Sequence, residues 1–526
     1  MSERTDDIEI QDPNLGQQAA AVAEIERQST VDPDCGVIRS GRLKGLTMWG
    51  AIFVLSWPVL IESFLNALVG LVDTTLAAYT SEAATDAIGV ASYFQWFIGL
   101  IAVALGVGAT AMISRAMGRG RTAVANAVVG QIVLLSGVLG TAAGLGIAMA
   151  SPFIARMMAL PPGSEAYTYA VDYLRIVSFG VPALTLLFSG MASCRGAGDA
   201  VRPMLTMAVV NAVNIAASYV LSGVQIPWLG FSNPFGFSLG VHGIAYGTLV
   251  AWWVGAIVIL AILGMGTHGL RLRTRRLKPH WHTIRRLVRV GVPNFFETAG
   301  MWFGNFITVL MVGWMGAQGL YGAHVIAIRI EAFSFLPGFA MATAAATLAG
   351  QYIGAGCPHL ATRAILRCAS IAALIMGALG VAFITIPEQI VSVFSAQEIH
   401  MELSPRLVQV CGLVQIPFAL VIVIRGALRG AGDTKVTMLL TWTSTWGIRL
   451  PLAWLCSGVE IPLHQLAELV GIAMDPTFVP NPAPLQRMFD IPPLVGLWIG
   501  LCGELAVRFL LFLARFIQGG WQRVKV

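Results

Sequence analysis

SWPVLIESFLNALVGLVD, at residues 56–73, is apolar enough to lie within a lipid bilayer, yet it carries two carboxylates and an amide. Asn66 follows Glu62 by four positions, and Asp73 follows Asn66 by seven. On an α-helix, these three side chains lie within about 40° of one another. Because a charged group at membrane depth is costly, such residues usually face a cavity or a partner. The stretch therefore predicts a membrane-spanning helix with one polar, functional face.

The composition is that of a helical membrane protein. Of the 526 residues, 56% are hydrophobic and 11% are charged, whereas a soluble domain averages about 25% charged residues. Apolar runs of membrane-spanning length recur along the chain, so we predict an all-α polytopic membrane protein with twelve transmembrane helices. The predicted spans are 46–78, 86–114, 122–150, 167–193, 202–222, 242–266, 288–315, 323–351, 361–387, 404–426, 437–457 and 492–517.

Basic residues in short loops predict the orientation of these spans. The loop after the sixth span contains RLRTRRLK at 271–278, whereas the first loop on the opposite side, 80–86, is acidic. The positive-inside rule then places both termini in the cytoplasm. We expect the protein to lie in the plasma membrane, which is the inner membrane in a Gram-negative cell. These charges report topology, so we expect no nucleic-acid partner. No basic segment followed by an apolar core marks a signal peptide, so residues 1–44 are expected to be a polar cytoplasmic tail.

An internal repeat divides the chain into two halves. RGAGDA at 195–200 returns as RGAGDT at 429–434, and the Pro58-x-x-x-Glu62 pattern returns as Pro293-x-x-x-Glu297. Two parallel six-helix halves predict pseudo-symmetric lobes around a central cavity that holds the substrate. The predicted domains are the tail 1–44, the N-lobe 45–266, a basic linker 267–287, the C-lobe 288–518 and a cytoplasmic tail 519–526.

The RGAGD motifs have no Lys-Ser/Thr continuation, so a nucleotide site is not favoured. We interpret each as a tight turn with glycines at positive φ and an arginine at the lipid headgroups. The seven cysteines are scattered, which supports neither a metal site nor a redox motif. No concentrated catalytic set is found, so we expect no enzyme and no cofactor beyond a coupling ion.

The proline–aspartate spacing of the first helix and the doubled RGAGD turn resemble the multidrug and toxic compound extrusion (MATE) antiporters. The resemblance covers residues 45–520. It implies two six-helix lobes in a V and efflux of organic cations coupled to H⁺ or Na⁺.

The resemblance also implies roles for individual residues. Asp73 matches a first-helix acid used for cation coupling, Asn66 a polar position on the same helix and Asn214 an asparagine of the fifth span. Glu297 lies in the seventh span, where family members often carry a functional glutamate. Ser218 stands where some members have an aspartate, and the tenth span has no acid, so H⁺ and Na⁺ both remain open.

The residues themselves suggest further assignments. An exchangeable ion and a cationic substrate would compete for Asp73. Glu62 is either a proton relay or substrate acid, or a carboxylate paired with a polar neighbour, and as repeat mates Glu62 and Glu297 are expected to face each other across the cavity. The predicted cavity side chains are Asn66, Gln95, Asn214, Met301 and Asn305, and the predicted structural polar groups are Arg329, Glu331 and Arg449.

The leading hypothesis is a monomeric exporter of small organic, cationic drugs or metabolites driven by H⁺ or Na⁺. The alternative is a flippase for a lipid-linked precursor of the wider superfamily. Twelve rather than fourteen spans, and acids rather than arginines on the first helix, favour the exporter.

Overall fold

The computed structural model describes residues 37–38, 42–43, 45–158, 161–225, 237–316, 319–395, 397–464, 474–483 and 488–524, without the side chains of residues 82, 86, 90 and 92–98. Most of the predicted tail 1–44 therefore lies outside the described residues. The helices are α1 Met48–Ala78, α2 Glu82–Gly118, α3 Thr122–Met157, α4 Glu165–Ser178, α5 Val181–Gly196, α6 Val201–Ser222, α7 Gly240–Met265, α8 Trp281–Trp314, α9 Leu320–Gly354, α10 Pro358–Thr385, α11 Pro387–Ser392, α12 Glu398–Leu413, α13 Gln415–Gly430, α14 Thr434–Ser444, α15 Leu450–Ser457 and α16 Pro493–Gln518.

Within these ranges, nine helices are long and apolar enough to cross a membrane. Two further spans are bent pairs: α4 and α5 meet at 53°, and α12 and α13 meet at 58°. The remaining predicted span, the eleventh at 437–457, is occupied by α14 and α15, which a π-helical turn at Thr445–Arg449 joins. This all-helical architecture confirms the predicted fold class and is consistent with twelve spans.

A short antiparallel sheet lies in the segment between α15 and α16. Its strands are β1 Ile461–Pro462 and β2 Phe478–Val479, with Ile461 opposite Val479. The linker between the halves carries a 3₁₀ turn at Thr274–Leu277, and α8 begins at Trp281, before the end of the predicted linker.

The first helix of each half contains a proline at the equivalent position. Pro58 lies within α1 and Pro293 within α8. Because proline has no backbone N–H, each helix lacks one of its i to i−4 hydrogen bonds at this point. The N-terminal half of α1, from Met48 to Val59, packs into an apolar core shared with α9, α10 and α13 of the C-lobe. In the reciprocal contact, Leu287 of α8 packs into the core of the N-lobe. The first helix of each half therefore joins the two lobes.

The lobes meet at the end of the bundle where α1 begins and α16 ends, which we call the terminal face. There the Arg115 guanidinium donates to the carbonyls of Ala431 at 2.7 Å and Val524 at 2.5 Å. On the same face, the Gln351 amide donates to the carbonyl of Gly196 at 3.4 Å. Farther from this face, no residue of α1 between Glu62 and Asp73 is buried. The lobes are thus joined by hydrogen bonds at the terminal face, whereas the middle of α1 is less buried and contacts the C-lobe through Phe64, which stacks on Phe333 of α9.

Candidate functional site

The Asp73 pocket is a buried polar cluster in the N-lobe, formed by Asp73, Tyr173, Asn214, Ser218 and Thr248. The Asp73 side chain lies at 3% exposure on α1 and points towards α4, α6 and α7. Its Oδ2 accepts hydrogen bonds from the hydroxyls of Thr248 at 2.7 Å and Tyr173 at 3.4 Å. Its Oδ1 accepts one from the Asn214 amide at 3.3 Å. Every donor to this carboxylate is therefore neutral.

Asn214 connects the pocket to its neighbours. Its amide nitrogen also lies 3.1 Å from the Thr248 hydroxyl and 3.4 Å from the Ser218 hydroxyl. Its Oδ1 is buried and accepts no hydrogen bond within the described ranges. A carboxylate, a vacant amide acceptor and hydroxyl oxygens in one cluster provide the hard oxygen ligands that small cations take. The pocket is therefore chemically suited to hold a proton or a small cation.

Close packing of α6 against α7 positions this cluster. A Cβ on Gly247 would overlap the backbone of Ser218, so only glycine permits this approach. The contact brings Thr248, the next residue on α7, to the same level as Asn214 on α6. A small residue thus places the donors around Asp73.

Three other buried carboxylates are neutralised by arginines. Glu62 pairs with Arg195 at 2.5 Å, Glu297 with Arg429 at 2.8 Å and Glu504 with Arg508 at 2.6 Å. Within the part of the chain that the structure describes, no basic side chain lies within 4.0 Å of the Asp73 carboxylate in the same way. Asp73 therefore differs from these three glutamates because no basic side chain among the described residues lies beside its carboxylate.

The two Glu–Arg pairs are copies of each other, and they correct the predicted place of the motif arginines. Arg195 and Arg429 begin the two RGAGD motifs, and each turns inward to the glutamate of its own lobe rather than to the lipid headgroups. Glu297 also accepts hydrogen bonds from hydroxyls on α14. Each of these glutamates is therefore held by an ion pair within its own lobe.

The aspartates of the motifs complete these turns. Asp199 pairs with Arg42 and accepts a 2.9 Å hydrogen bond from the Thr267 hydroxyl, and Asp433 pairs with Arg515 at 2.8 Å. The motif glycines Gly198 and Gly432 have φ of 90° and 84°. The tight turn at positive φ thus agrees with the sequence analysis.

The predicted stripe on α1 separates into different environments. Asn66 is exposed, whereas Glu62 and Asp73 are buried against different helices. The side chain of Gln95 lies outside the described residues. One helical face therefore supplies two separate polar sites with an open segment between them.

A second polar cluster, which we call the C-lobe network, lies around Arg449. Arg449 pairs with Glu504 at 3.1 Å and donates to Asn305 Oδ1 at 2.8 Å. Arg508 pairs with the same glutamate and donates to the hydroxyls of Ser444 and Thr445, at 2.8 Å each. Asn305 thus belongs to a charged network rather than to an isolated cavity position.

The sequence analysis did not identify Glu504 and Arg508. Both lie in the last apolar run, four residues apart, which is the spacing of an intrahelical ion pair. Two opposite charges at that spacing inside a membrane span are the signal that could have found them.

Arg329 and Glu331, which sequence spacing predicts will not pair with each other, form no mutual ion pair in the structure. Arg329 is exposed on α9. Glu331 is half-buried, and its carboxylate makes no ion pair or hydrogen bond within the described ranges, although Arg449 influences it electrostatically.

Met301 contacts the Arg425 guanidinium, with Sδ 3.0 Å from Nη1.

A protein-family model described as MatE matches residues 58–220 and, a second time, residues 293–455. The chain belongs to the MatE family. Because both matches begin 235 residues apart, the family comparison reproduces the offset of the internal repeat. Membership makes the chain a membrane transporter.

Two relatives align with most of the chain. A probable multidrug resistance protein NorM of Thermotoga maritima is 27% identical over 89% of this chain and 92% of its own. The multidrug resistance protein PmpM of Pseudomonas aeruginosa is 24% identical over 77% of this chain and 83% of its own.

Two solved structures show the same fold. A MATE crystal structure in the bent conformation superposes with a TM-score of 0.76 at 21% identity, covering 90% of this chain and 96% of its own. The Vibrio cholerae MATE transporter VcmN in the bent form has a TM-score of 0.75 at 15% identity, covering 90% and 97% of the two chains.

Proposed function

We propose that this protein exports small organic cations, drugs or metabolites, from the cytoplasm in exchange for H⁺ or Na⁺. Family membership supports transport, and the multidrug resistance names of the NorM and PmpM relatives support a drug-like substrate. We place it in the plasma membrane as a monomer with both termini in the cytoplasm.

The observation that carries this proposal is the environment of the Asp73 carboxylate. This carboxylate is buried and accepts hydrogen bonds from Thr248, Tyr173 and Asn214. Arginines pair with the carboxylates of Glu62, Glu297 and Glu504, whereas no arginine among the described residues pairs with Asp73. A carboxylate at membrane depth without a cationic partner is most stable when a mobile cation neutralises it. Asp73 is thus the group from which an ion leaves when a cationic substrate binds.

Competition for one carboxylate couples the two flows. If the ion lowers the affinity of the protein for substrate, thermodynamic linkage requires the substrate to lower the affinity for the ion by the same factor. The transporter then changes between its inward-open and outward-open states with either the ion or the substrate bound.

Alternating access requires the terminal face to open and close. The closed state places Arg115, Gln351 and Thr347 in hydrogen bonds between the lobes. Breaking this set of contacts would let α1 and α8 move with their lobes and expose the Asp73 side of the cavity to the cytoplasm. The exposed middle of α1 is then the surface that substrate meets in the present state.

Dye uptake into everted membrane vesicles tests this proposal. Diluting the vesicles into a different buffer imposes an ion gradient across their membrane. A cationic dye should accumulate when a pH gradient or, separately, a Na⁺ gradient is imposed, and the gradient that drives uptake identifies the ion. Vesicles without the protein are the control. Equal accumulation in the two preparations under both gradients would refute ion-coupled export.

A further inference from the structure

Arg425 is a membrane-embedded arginine outside the Asp73 pocket. It lies on α13, one turn before the Arg429 that neutralises Glu297. Its Nη1 lies 3.0 Å from the Met301 sulfur, which is a weak acceptor. Within the described ranges, this guanidinium forms no other hydrogen bond and no ion pair, and none of its nitrogens is enclosed without a partner. Its remaining donors therefore keep some accessible surface and have no protein acceptor among the described residues.

An arginine cannot escape this position by losing its charge, because its guanidinium stays protonated in proteins. At membrane depth, such a charge needs an anion or water. The nearby Glu297 is already held by Arg429, Thr437 and Thr441. Arg425 thus has open donors and no protein anion of its own.

The surrounding charges in the described part of the C-lobe leave a positive excess. Arg449 and Arg508 share the single carboxylate of Glu504. Four cationic and three anionic side chains face this interior: Arg425, Arg429, Arg449 and Arg508 against Glu297, Glu331 and Glu504. With all seven ionised, this group of side chains carries one more positive than negative charge, whereas the carboxylate of Asp73 in the N-lobe has no basic partner among the described residues.

We propose that Arg425 is an anion-binding site for a carboxylate of the exported substrate. A guanidinium matches the planar carboxylate and binds it through two parallel N–H donors. This inference rests on the proposed function and specifies its substrate class: amphoteric organic molecules that carry a cationic amine and a carboxylate. The amine is directed to the negatively charged lobe and the carboxylate to the positively charged lobe. Met301 contributes an apolar surface beside the anion.

Two dyes that differ only at the carboxylate test the site. Rhodamine 110 has a free carboxylate, and rhodamine 123 is its methyl ester. Binding to the purified full-length protein is measured by fluorescence polarisation without any ion gradient, so the result does not depend on antiport. Wild-type protein should bind rhodamine 110 more tightly than rhodamine 123. Equal affinities, or tighter binding of the ester, would overturn the proposal without a variant being needed.

The variants Arg425→Gln and Arg425→Lys locate the effect, and Arg329→Gln is the matched control because Arg329 is exposed on the neighbouring α9. Arg425→Gln should weaken rhodamine 110 binding by roughly 10- to 100-fold, as expected for loss of a charged hydrogen bond, and leave rhodamine 123 binding unchanged. Arg425→Lys should retain part of the preference, and Arg329→Gln all of it. The same loss for both dyes would show a purely structural role.

Competition by small anions distinguishes the source of the ligand. Acetate should displace rhodamine 110 but not rhodamine 123 from the wild-type protein. Displacement by chloride at the same or lower concentration, with no effect of acetate, would show an inorganic anion site and contradict the assignment. If rhodamine 110 binds as proposed but no gradient drives its export, the anion site stands and the proposed antiport fails.

Discussion

The Thr248 hydroxyl donates a 2.7 Å hydrogen bond to Asp73 and lies 3.1 Å from the Asn214 amide, so it joins the carboxylate of α1 to both α6 and α7. Replacing it with valine keeps the shape but removes one donor from the ionised carboxylate. A lost hydrogen bond to a charged buried group costs about 1–3 kcal/mol.

If the exchanged ion is H⁺, we expect Thr248→Val to lower its half-saturating concentration by about tenfold, because the ionised carboxylate loses a donor. If the ion is Na⁺, the same change removes an oxygen ligand and should raise the half-saturating concentration. The measurement is initial dye transport as a function of ion concentration in proteoliposomes. Thr206→Val is the control, because that buried hydroxyl bonds only to the Arg202 carbonyl of its own helix. An unchanged half-saturating concentration in Thr248→Val would contradict the assigned role.

Gly247 permits the close approach of α6 and α7. Gly247→Ala should push α7 away from Ser218, separate Thr248 from Asn214 and strongly reduce dye export by protein that still reaches the membrane. Gly146→Ala adds the same methyl group on α3 where no atom lies within 4 Å, and it should leave export unchanged. The two variants are compared by their rates of dye export, each divided by the amount of folded protein in the membrane. Full activity of Gly247→Ala would show that this packing does not position the pocket.

The Glu62–Arg195 pair is expected to stabilise the N-lobe only as a pair. The side chains are 10% and 16% exposed, so Glu62→Gln or Arg195→Met leaves a buried charge without its partner. Such a loss costs about 3–5 kcal/mol, whereas removing both charges costs less than the sum of the single changes.

The double-mutant cycle of Glu62→Gln and Arg195→Met is measured as the free energy of unfolding of the purified protein, followed through its tryptophan fluorescence. Asp172→Asn provides the comparison, because the Asp172–His242 pair is 37% exposed on both sides and its loss should be nearly silent. Strictly additive effects of Glu62→Gln and Arg195→Met would argue against a coupled pair.

Arg115 holds the terminal face closed through its hydrogen bonds to Ala431 and Val524. Arg115→Gln should increase the time that the lobes spend apart on this side. A cysteine introduced at the buried Thr347, in a background with Cys35 replaced by serine, should then react faster with a maleimide. The exposed neighbour Arg119 provides the control, and Arg119→Gln should not change the rate. An equal rate in both variants would show that Arg115 does not restrain this face.

The sequence predicted the helices and the repeat because apolar run length and motif spacing are local properties. The polar stripe on the first helix pointed to Asp73, and the family resemblance pointed to Asn214, which lies beside Asp73 in the structure. It could not assign the partners of Asp73, because Tyr173 and Thr248 come from distant helices and neither is unusual in a membrane span. The motif arginines were misplaced for the same reason: only the folded chain shows that Arg195 and Arg429 turn inward to glutamates 133 and 132 residues away.

The central claim is that Asp73 carries the exchanged ion. Its direct test is the release of H⁺ or Na⁺ by purified protein when a cationic dye binds, followed with a pH indicator in weakly buffered solution or with radioactive Na⁺. Wild-type protein and the Asp172→Asn control should release the ion on dye binding, and Asp73→Asn should release none although it remains folded. Undiminished ion release by Asp73→Asn would contradict the account.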